Sequence, residues 1–518
     1  MHNLEPKENV CIEIPELEEG LRLGNEIPQQ NRPVSVHLPE PRQPHLSNRS
    51  SSLSCTSTIL TFERERHETR EKPTSLPKES TVPATTTVKV TPWLRFRTWF
   101  TPYRQILVVV VVLNFVGSTL EIAGLWPAAT CCVGSLVVGN ILCAIAIRSE
   151  WTLRFLYWLA IKIFRPSFPI RMRTTVVGLL YHIGSISPRG SGGLHSGCGI
   201  AALCWLVSSF VHHIRFHQLY HPAVLASLSA CVLCVSILSI SAFPVFRGPY
   251  HNAFEMIHRF MGWIGILFTL TFVILSKFWN VYSQEWEIDS ISLATSPEMW
   301  FLLAIFLFIF AAWITVAKVP VEHLTDSVTS SVIRLPGGLT SGLHTRISRG
   351  GLKEWHIFGS ISEGKDADCH YIVAAVQGNF TRSLNTERPE KLYTKRWKPC
   401  GLPYFSRMFR RGVAICTGSG IGAVASTCIQ HSDWFLIWIG PNLEKTYGEE
   451  LLSLLTTKIP NERRIIWDTR GPRGRPDVVS VLENIFKSWD AEVFGPLFIN
   501  SGTLHWQSSV EQDSLASF

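Results

Sequence analysis

The chain has 518 residues, of which 46% are hydrophobic and only 17% are charged, so it is neither disordered throughout nor an ordinary soluble enzyme. The basic residues behind its net charge of +8 concentrate beside apolar runs and form no aromatic-studded stripe, which argues against nucleic acid as a partner. Thirteen cysteines, many of them inside apolar runs, favour buried thiols over a secreted disulfide scaffold.

Residues 1–94 form the first segment, which is rich in Pro, Ser, Thr and Glu and has few large apolar side chains. Such a segment buries too little apolar surface to offset its ordering entropy, so we expect a disordered N-terminal tail. It opens without a basic stretch followed by an apolar one, and we therefore expect no cleaved signal peptide.

Six apolar runs of about 17 to 22 residues follow, each long enough to cross a hydrocarbon core of about 30 Å. The predicted spans are 106–126, 128–147, 195–214, 222–243, 255–276 and 299–317. Residues 151–164 are amphipathic and carry Arg154 and Lys162, which favours an interfacial helix over a seventh span. The sequence predicts a six-span helical membrane domain over 95–318 and the lipid bilayer as a partner.

Charged residues on the connecting segments orient the predicted spans. Arg104 precedes the first span, six basic residues lie between 148 and 173 after the second, and Arg247 and Arg259 follow the fourth. The opposite side carries acidic residues such as Glu285 and Glu298 before the last span. Because Arg and Lys concentrate on the cytoplasmic side, both termini are predicted to be cytoplasmic, and we favour the plasma membrane.

Beyond residue 318 the pattern changes to short alternating strands broken by Gly, Pro and Ser, typical of a soluble region. Its second half alternates strand-like and helical segments. The predicted strands are 412–416, 434–439 and 464–467, and the predicted helices are 449–457 and 477–489. This βαβ pattern predicts a parallel sheet in a domain over 409–518.

The sequence Thr417-Gly418-Ser419-Gly420-Ile421-Gly422 follows the first of these strands and leads into a helix. Glycines there let the backbone approach a pyrophosphate, and a helix N-terminus supplies N–H donors. The same motif also occurs as a tight turn without a ligand. Asp468 ends a later strand at the edge where nucleotides bind, either as a ligand contact or as a solvated loop residue.

A second group of motifs carries a family resemblance. It comprises Arg346-Ile347-Ser348, Trp355-His356-Ile357-Phe358 and Gly378-Asn379-Phe380-Thr381. With six spans and the glycine-rich loop, this order resembles the ferric reductase and NADPH oxidase superfamily. The segments HSGCG, HNAFEMIHRFMGW, LKEWHIF and IIWDTRGPRGRPD are more similar to fungal TmpA-type transmembrane flavoproteins.

The resemblance implies an antiparallel β-barrel that binds FAD over 319–408 and an α/β domain that binds NAD(P)H over 409–518. Electrons would pass from cytosolic NAD(P)H through FAD toward an unidentified acceptor at or across the membrane. The implied FAD contacts are Arg346, Ser348, Trp355, His356, Phe358 and Thr381. The implied dinucleotide contacts are Thr417, Gly418, Gly420, Ile421, Gly422 and Asp468.

Several positions depart from the family pattern. Ile357 and Gly359 stand where the family has Pro and Thr, and Ala423 stands where Pro usually follows the loop. The C-terminal Cys-Gly-Pro strand is replaced by a segment around Gly495 that has no Cys, and residues 501–518 read as an irregular tail. An alternative is therefore a catalytically degenerate reductase-like protein in signalling or development, or a redox accessory of a biosynthetic pathway. A transporter would leave the βαβ region unexplained.

Haem is a further cofactor of the superfamily, in which two helices each carry two His residues thirteen or fourteen positions apart. Here, the same step leads from His195 to Ser208 or Ser209, and from His258 to Thr271 or Phe272. The paired arrangement is therefore absent. A single haem b between His195 and His258, near the cytoplasmic ends of their spans, is the remaining metal-site prediction.

Overall fold

The computed structural model describes residues 91–184, 193–325, 327–351 and 353–496. The predicted N-terminal tail lies outside these residues except for 91–94, where the first helix has already begun at Pro92. The predicted C-terminal tail, 501–518, also lies outside them. Within the described residues, a helical region is followed by an antiparallel sheet and then by a parallel sheet.

The helical region runs from Pro92 to Ile314. Its helices are α1 (Pro92–Trp99), α2 (Pro102–Ile122), α3 (Pro127–Thr130), α4 (Val133–Ala146), α5 (Glu150–Ile163), α6 (Ile170–Gly184), α7 (Gly193–Arg215), α8 (Pro222–Ser241), α9 (Pro244–Arg247), α10 (His251–Phe278), α11 (Ser290–Thr295) and α12 (Pro297–Ile314). A short hairpin, β1 (Trp279–Asn280) and β2 (Glu285–Trp286), separates α10 from α11.

Five of these helices are long and apolar enough to cross a membrane, judged by length and composition: α2, α7, α8, α10 and α12. Proline occupies the first turn of α2, α8 and α12, where its missing N–H removes no intrahelical hydrogen bond. The Nδ1 atom of His221 accepts a hydrogen bond from the N–H of Ala223 and caps α8. Local sequence thus sets where these helices begin.

The predicted second span, 128–147, differs in the structure. It is interrupted at Cys131 and Cys132, and α4 has only 14 residues, a rise of about 21 Å that falls short of a hydrocarbon core. The pair α4 and α5 is bent by 75° and counts as a sixth span only if taken together. The described chain thus allows five or six spans, and the count of six stays a prediction, although the predicted second span is not one continuous helix because a turn interrupts its apolar run.

The antiparallel sheet has seven strands in the order β3-β9-β6-β7-β8-β5-β4. They are β3 (Val316–Pro320), β4 (Glu322–His323), β5 (Ser330–Pro336), β6 (His344–Ser348), β7 (His356–Ile361), β8 (Cys369–Ala375) and β9 (Lys391–Lys395), with α13 (Asn379–Glu387) before β9. The side chains of Ile333, Ile347 and Ile372 are fully buried on one face, where Leu384 of α13 covers them. Alternation along β6 leaves His344 and Arg346 on the opposite face.

The parallel sheet has the strand order β12-β11-β10-β13. Its elements are β10 (Gly412–Thr417), α14 (Ile421–Gln430), β11 (Trp434–Gly440), α15 (Leu443–Tyr447), α16 (Glu449–Lys458), β12 (Arg464–Asp468), α17 (Val478–Trp489) and β13 (Val493–Pro496). Every residue of β11 is buried, as expected for a central parallel strand covered on both faces. The carboxylate of Asp477 accepts hydrogen bonds from the N–H groups of Val479 and Ser480 and starts α17.

Polar side chains fix the two sheets to each other. The hydroxyl of Ser426 on α14 donates to the carbonyl of Ser360 at 2.7 Å and accepts from the N–H of Ser362 at 2.8 Å. Two contacts join the helical region to the chain around the parallel sheet. Tyr157 of α5 packs on Phe405, with ring centroids 4.3 Å apart, and Arg173 of α6 forms an ion pair with Glu492. The carboxyl edge of β10 is thereby held beside β7.

Candidate functional site

A cavity of about 720 Å³ lies where β7, the N-terminus of α13, the glycine-rich turn and the first turns of α10 meet. Four residues predicted from the sequence line it: His356, Phe358, Thr381 and Gly420. Cofactor and ligand sites usually occupy about 300 to 1,000 Å³ and lie between domains. The structure therefore brings three of the six predicted FAD contacts and one of the six predicted dinucleotide contacts to one cavity, and their contact with a cofactor stays a prediction.

Aromatic rings form one wall of the cavity. The imidazole of His356 stacks on the ring of Phe380, with centroids 4.0 Å apart and planes 25° apart, and Phe358 lies 6.5 Å beyond. The Nε2 atom of His356 is buried and has no hydrogen-bond partner among the described residues. Burial lowers the pKa of His356 below its usual value, so the ring is neutral near pH 7.

The N-terminus of α13 forms a second wall. The Thr381 hydroxyl accepts hydrogen bonds from the N–H groups of Gln377 at 3.0 Å and Gly378 at 3.2 Å, which bends the chain into the helix. The first N–H groups of any helix lack intrahelical partners and carry the positive end of its dipole. Gly378 and Asn379 line the cavity, so this end of α13 presents donors suited to an anionic group.

The glycine-rich turn closes the cavity from the parallel sheet. Gly418 has φ +52°, a left-handed conformation that favours glycine, and the carbonyl of Gly418 accepts a 2.9 Å hydrogen bond from Nε1 of Trp438. Ser419 and Gly420 face the cavity, whereas Ile421, the first residue of α14, is fully buried. Thr417 and Gly422 flank this turn without lining the cavity as the structure describes it.

Gly359 of β7 makes the closest approach between the two sheets. A Cβ atom added there would lie 2.4 Å from the nitrogen of Ala423 and 2.5 Å from the carbonyl carbon of Gly422. Those are backbone atoms that no side-chain rotation can move. The strand and the start of α14 therefore touch only because residue 359 has no side chain.

Sequence reasoning left several cavity residues out of the predicted site: His251, Asn252, Glu255, His344 and Ser419. His251 and Glu255 lie one turn apart at the start of α10, with Nδ1 and Oε1 separated by 3.8 Å. His344 precedes Arg346 on the same face of β6, and burial lowers its pKa to about 4. The i, i+4 spacing of His251 and Glu255 predicted a shared helical face that ties this helix to the flavin domain, but it did not place either residue in the cofactor site.

Three predicted FAD contacts lie away from the cavity wall. The Nε atom of Arg346 lies 2.9 Å from Oε1 of Glu150 on α5. The hydroxyl of Ser348 donates to the carbonyl of Gly350 at 2.6 Å and stabilises a turn. Trp355 donates from Nε1 to the carbonyl of Gly351 at 3.3 Å. These geometries give each side chain a structural partner, and their contact with FAD remains a prediction.

Asp468 lines a separate pocket of about 480 Å³ at the ends of β11 and β12. Its carboxylate accepts hydrogen bonds from the N–H groups of Asn442, Leu443 and Arg470 at 2.9, 3.1 and 2.8 Å. These backbone donors, Arg470 first, lower the pKa of Asp468 below its usual value. The side chain is therefore an ionised anchor for two loops at the nucleotide edge of the sheet.

The predicted metal pair, His195 and His258, comes together between α7 and α10. The two ring centroids are 6.1 Å apart, and Nδ1 of His195 lies 2.9 Å from the carbonyl oxygen of Ala144. Nδ1 of His258 is buried and has no hydrogen-bond partner among the described residues. The described ranges contain no group of three or more metal-ligating side chains. A haem at this pair stays a prediction.

Comparison with known proteins points to fungal reductases. Residues 402–504 match the family model of the C-terminal domain of adenylate-forming reductase 03009. The chain is 27% identical over 410 residues to adenylate-forming reductase 06235 from Coprinopsis cinerea, an alignment that covers 76% of this chain and 37% of the relative. It is 26% identical over 371 residues to adenylate-forming reductase 03009 from the same fungus, covering 70% and 34%. The chain thus spans about a third of the length of these curated relatives.

Solved structures match parts of the chain at low similarity. A phthalate dioxygenase reductase has TM-score 0.27 and 11% identity, and the match covers 32% of this chain and 56% of that protein. A ferredoxin-NADP⁺ reductase from Plasmodium falciparum has TM-score 0.25 and 9% identity, covering 34% and 84%. At these TM-scores the likeness carries no argument about this chain.

Proposed function

We propose that this chain is a membrane-bound flavin oxidoreductase that takes electrons from a nicotinamide dinucleotide through FAD and delivers them to an acceptor at the membrane. The observation that carries the proposal is the shared cavity. β7, the glycine-rich turn and the start of α10 all line it, so a donor, a flavin and the helical region would meet in a single space. Similarity to fungal reductases supports the same class of chemistry.

The residues around the cavity fit FAD in three respects. The stacked His356 and Phe380 rings offer a flat apolar surface for a planar aromatic ring system. The orphaned Nε2 of His356 offers one hydrogen-bonding position. The N-terminus of α13 offers N–H donors for a pyrophosphate at Gly378 and Asn379. When bound, FAD would supply the ability to accept a hydride and release electrons singly.

The chain's own residues would position the reactants. Gly359 lets β7 approach α14 closely, which brings the edge of the glycine-rich turn to the aromatic wall. Ser426 stabilises that approach through two hydrogen bonds, one to Ser360 of β7 and one to Ser362 just after it. His251 and Glu255 form the wall on the helical side, so an acceptor that enters from α10 meets titratable groups able to hold or transfer a proton.

The membrane location is part of the proposal and is supported by the five apolar helices. Placing α10 across the bilayer would set the cavity at its N-terminal end, next to the interface. The basic residues on the connections between helices favour a cytosolic position for both sheets. We leave haem out of the electron route, because His195 and His258 are one pair of His rings that approach from different described helices, and the superfamily arrangement needs two such pairs.

A catalytically inactive reductase-like protein is the second candidate. The observation that favours it is the ion pair of Arg346 with Glu150, which engages the arginine that the family resemblance assigns to FAD. Under this alternative the same cavity would hold a nucleotide for structure or signalling, without hydride transfer.

The deciding experiment is an absorbance spectrum of the full-length protein purified in detergent and supplied with FAD. We expect a bound flavin band that bleaches when NADH or NADPH is added without oxygen. His356→Leu should weaken FAD binding about two- to tenfold, because it removes a stack worth about 0.5–1.5 kcal/mol. His217→Leu, at an exposed histidine away from the cavity, is the matched control.

Three results would separate the candidates. A folded protein that takes up no FAD would overturn both the flavin assignment and the inactive alternative that retains it. A bound flavin that neither nucleotide bleaches would favour the inactive candidate. Equal weakening by His356→Leu and His217→Leu would show that the aromatic wall is not where FAD binds.

A further inference from the structure

The second pocket, about 480 Å³ in volume, lies at the carboxyl ends of β11 and β12 and has an unusual charge. Its wall consists of Asn442, Glu444, Lys445, Glu449 and Asp468. Three carboxylates therefore face one ammonium group. None of the residues of this acidic wall lines the cavity between the sheets. The wall lies at the edge of the parallel sheet where a bound dinucleotide would place its adenosine.

The end of β11, two residues before Asn442 of the pocket wall, lies close to the glycine-rich turn. A Cβ atom added at Gly440, the last residue of β11, would lie 3.6 Å from the Cα atom of Gly418. In parallel α/β sheets, a dinucleotide places its pyrophosphate on the glycine turn and its adenosine ribose beyond the next strand. Here the next strand is β11, and the pocket opens directly after it. The acidic wall thus lies where the ribose 2′ position would be.

The spacing of Glu444 agrees with that position. It follows Gly422 by 22 residues, in the first turn of α15. An acidic side chain about 20 residues beyond the glycine motif is the usual hydrogen-bond acceptor for the ribose 2′-hydroxyl of NAD. A 2′-phosphate would add a charge of about −1.5 to −2 at the same point.

Asp468 holds this arrangement in place. Two of its three backbone contacts, to Asn442 and Leu443, are with the N–H groups that begin α15. The carboxylate therefore sets the direction of the turn that carries Glu444 and adds its own negative charge to the pocket. We treat Asp468 as a positioning residue, because its oxygens are already engaged by the protein backbone.

Nearby arginines do not cancel the acidic wall. Arg470, Arg473 and Arg475 follow β12, but none of them lines the pocket as the structure describes it. The guanidinium of Arg473 lies over the ring of Trp467, 5.2 Å from its centroid. The single cation on the wall is Lys445, beside Glu444.

We propose that the nicotinamide donor is NADH and that Glu444, with Glu449 and Asp468 behind it, excludes the 2′-phosphate of NADPH. This inference rests on the proposed function and specifies which nicotinamide dinucleotide donates the electrons. Glu444 accepts the ribose 2′-hydroxyl, and the three carboxylates repel a phosphate there.

Binding of adenosine fragments tests the pocket without requiring turnover. Calorimetry on the full-length protein should show AMP, which lacks only the 2′-phosphate, binding at least about tenfold more tightly than 2′,5′-ADP, the expected scale for repulsion between neighbouring charges near a surface. Raising the salt concentration should reduce that ratio, because exposed charges are screened. Glu444→Gln should reduce it as well, whereas Glu483→Gln, at an exposed glutamate on α17, should leave it unchanged.

Flavin bleaching by the two intact nucleotides supplies the second readout. NADH should reduce the flavin at a concentration at least about tenfold lower than NADPH, and Glu444→Gln should bring the two closer. Equal use of both nucleotides, or a preference for NADPH, would overturn the inference and leave the flavin oxidoreductase intact. A flavin that neither nucleotide bleaches would overturn the proposed function. Tighter binding of 2′,5′-ADP than of AMP would refute the acidic-wall argument directly.

Discussion

The contact between Arg173 and Glu492 should be the most consequential ion pair for the arrangement of the three regions. Arg173 on α6 is 3% exposed, and its guanidinium makes two contacts with the Glu492 carboxylate, at 3.0 and 3.2 Å. It also donates to the carbonyls of Met408 and Phe168. One side chain thus joins the helical region to the segment that precedes β10 and to the strand that follows α17.

Removing the guanidinium by Arg173→Met should be strongly destabilising. Breaking a buried pair by deleting one partner costs about 3–5 kcal/mol, because the other charge is left desolvated and unpaired. Glu492 is 24% exposed, so we expect the lower end, about 3 kcal/mol. For a unit of 150–250 residues this corresponds to a fall in Tm of roughly 6–12 °C.

The matched control is Arg334→Met. Arg334 pairs with Glu322 and Glu450 at the surface, where the three side chains are 39 to 56% exposed. Such pairs contribute about 0–1 kcal/mol, so the control should lower Tm by at most about 4 °C. Thermal unfolding of both full-length variants in detergent, followed by tryptophan fluorescence, gives the comparison. Equal falls in Tm for the two variants would refute the view that the Arg173–Glu492 pair holds the helical region to the rest of the protein.

The same pair predicts a pH dependence. Burial alone would raise the pKa of Glu492, but the hydrogen bonds from Arg173 and from the N–H of Arg410 outweigh it and lower that pKa below its usual value. A carboxyl whose pKa is depressed by folding stabilises the native state above its unfolded pKa of about 4.5. This stabilisation should disappear as pH falls from about 5 through the folded pKa, and Arg173→Met should lose much of that slope.

Three further predictions concern the cavity. Gly359→Ala should lower the free energy of unfolding by about 1–3 kcal/mol, because the added methyl group overpacks against the backbone of α14. Gly364→Ala, where an added Cβ meets no atom within 4 Å, should leave that free energy unchanged in the same unfolding assay. Ser426→Ala should cost about 1–3 kcal/mol by leaving the buried Ser362 N–H and Ser360 carbonyl without partners, which chemical denaturation would measure. FAD at a hundredfold excess over its Kd should stabilise the protein by about 2.7 kcal/mol, and a Tm unchanged by FAD would contradict binding in the cavity.

Much of the fold was predictable because its signals are local. The strands of the parallel sheet begin where their apolar runs begin, at Gly412, Trp434 and Arg464, and the glycine-rich turn follows β10 as expected. These features depend on side-chain periodicity and on turn residues within a few positions. The break in the second apolar run was missed because no Gly or Pro marks it, and its hydropathy continues through Cys131 and Cys132.

The partners of the charged site residues were not predictable. Arg346 was assigned to a cofactor by its motif, yet its nearest anion is Glu150, at the start of a helix far earlier in the chain. Burial also lowers the pKa of Lys398 in the same region to about 8. Sequence spacing carries no information about such a contact, since it forms only after the helical region docks on β6.

Two departures from the family pattern acquire one explanation from the structure. Gly359 and Ala423 stand where the superfamily that this sequence resembles has Thr and Pro, and these positions are remote in sequence but touch at the wall of the cavity. A side chain at 359 would strike the nitrogen of residue 423, the atom from which a proline ring would also extend. Both replacements remove bulk from a single contact and let β7 lie against α14. They are therefore one local change in packing, which weakens the inference that the chain lost its chemistry through independent defects.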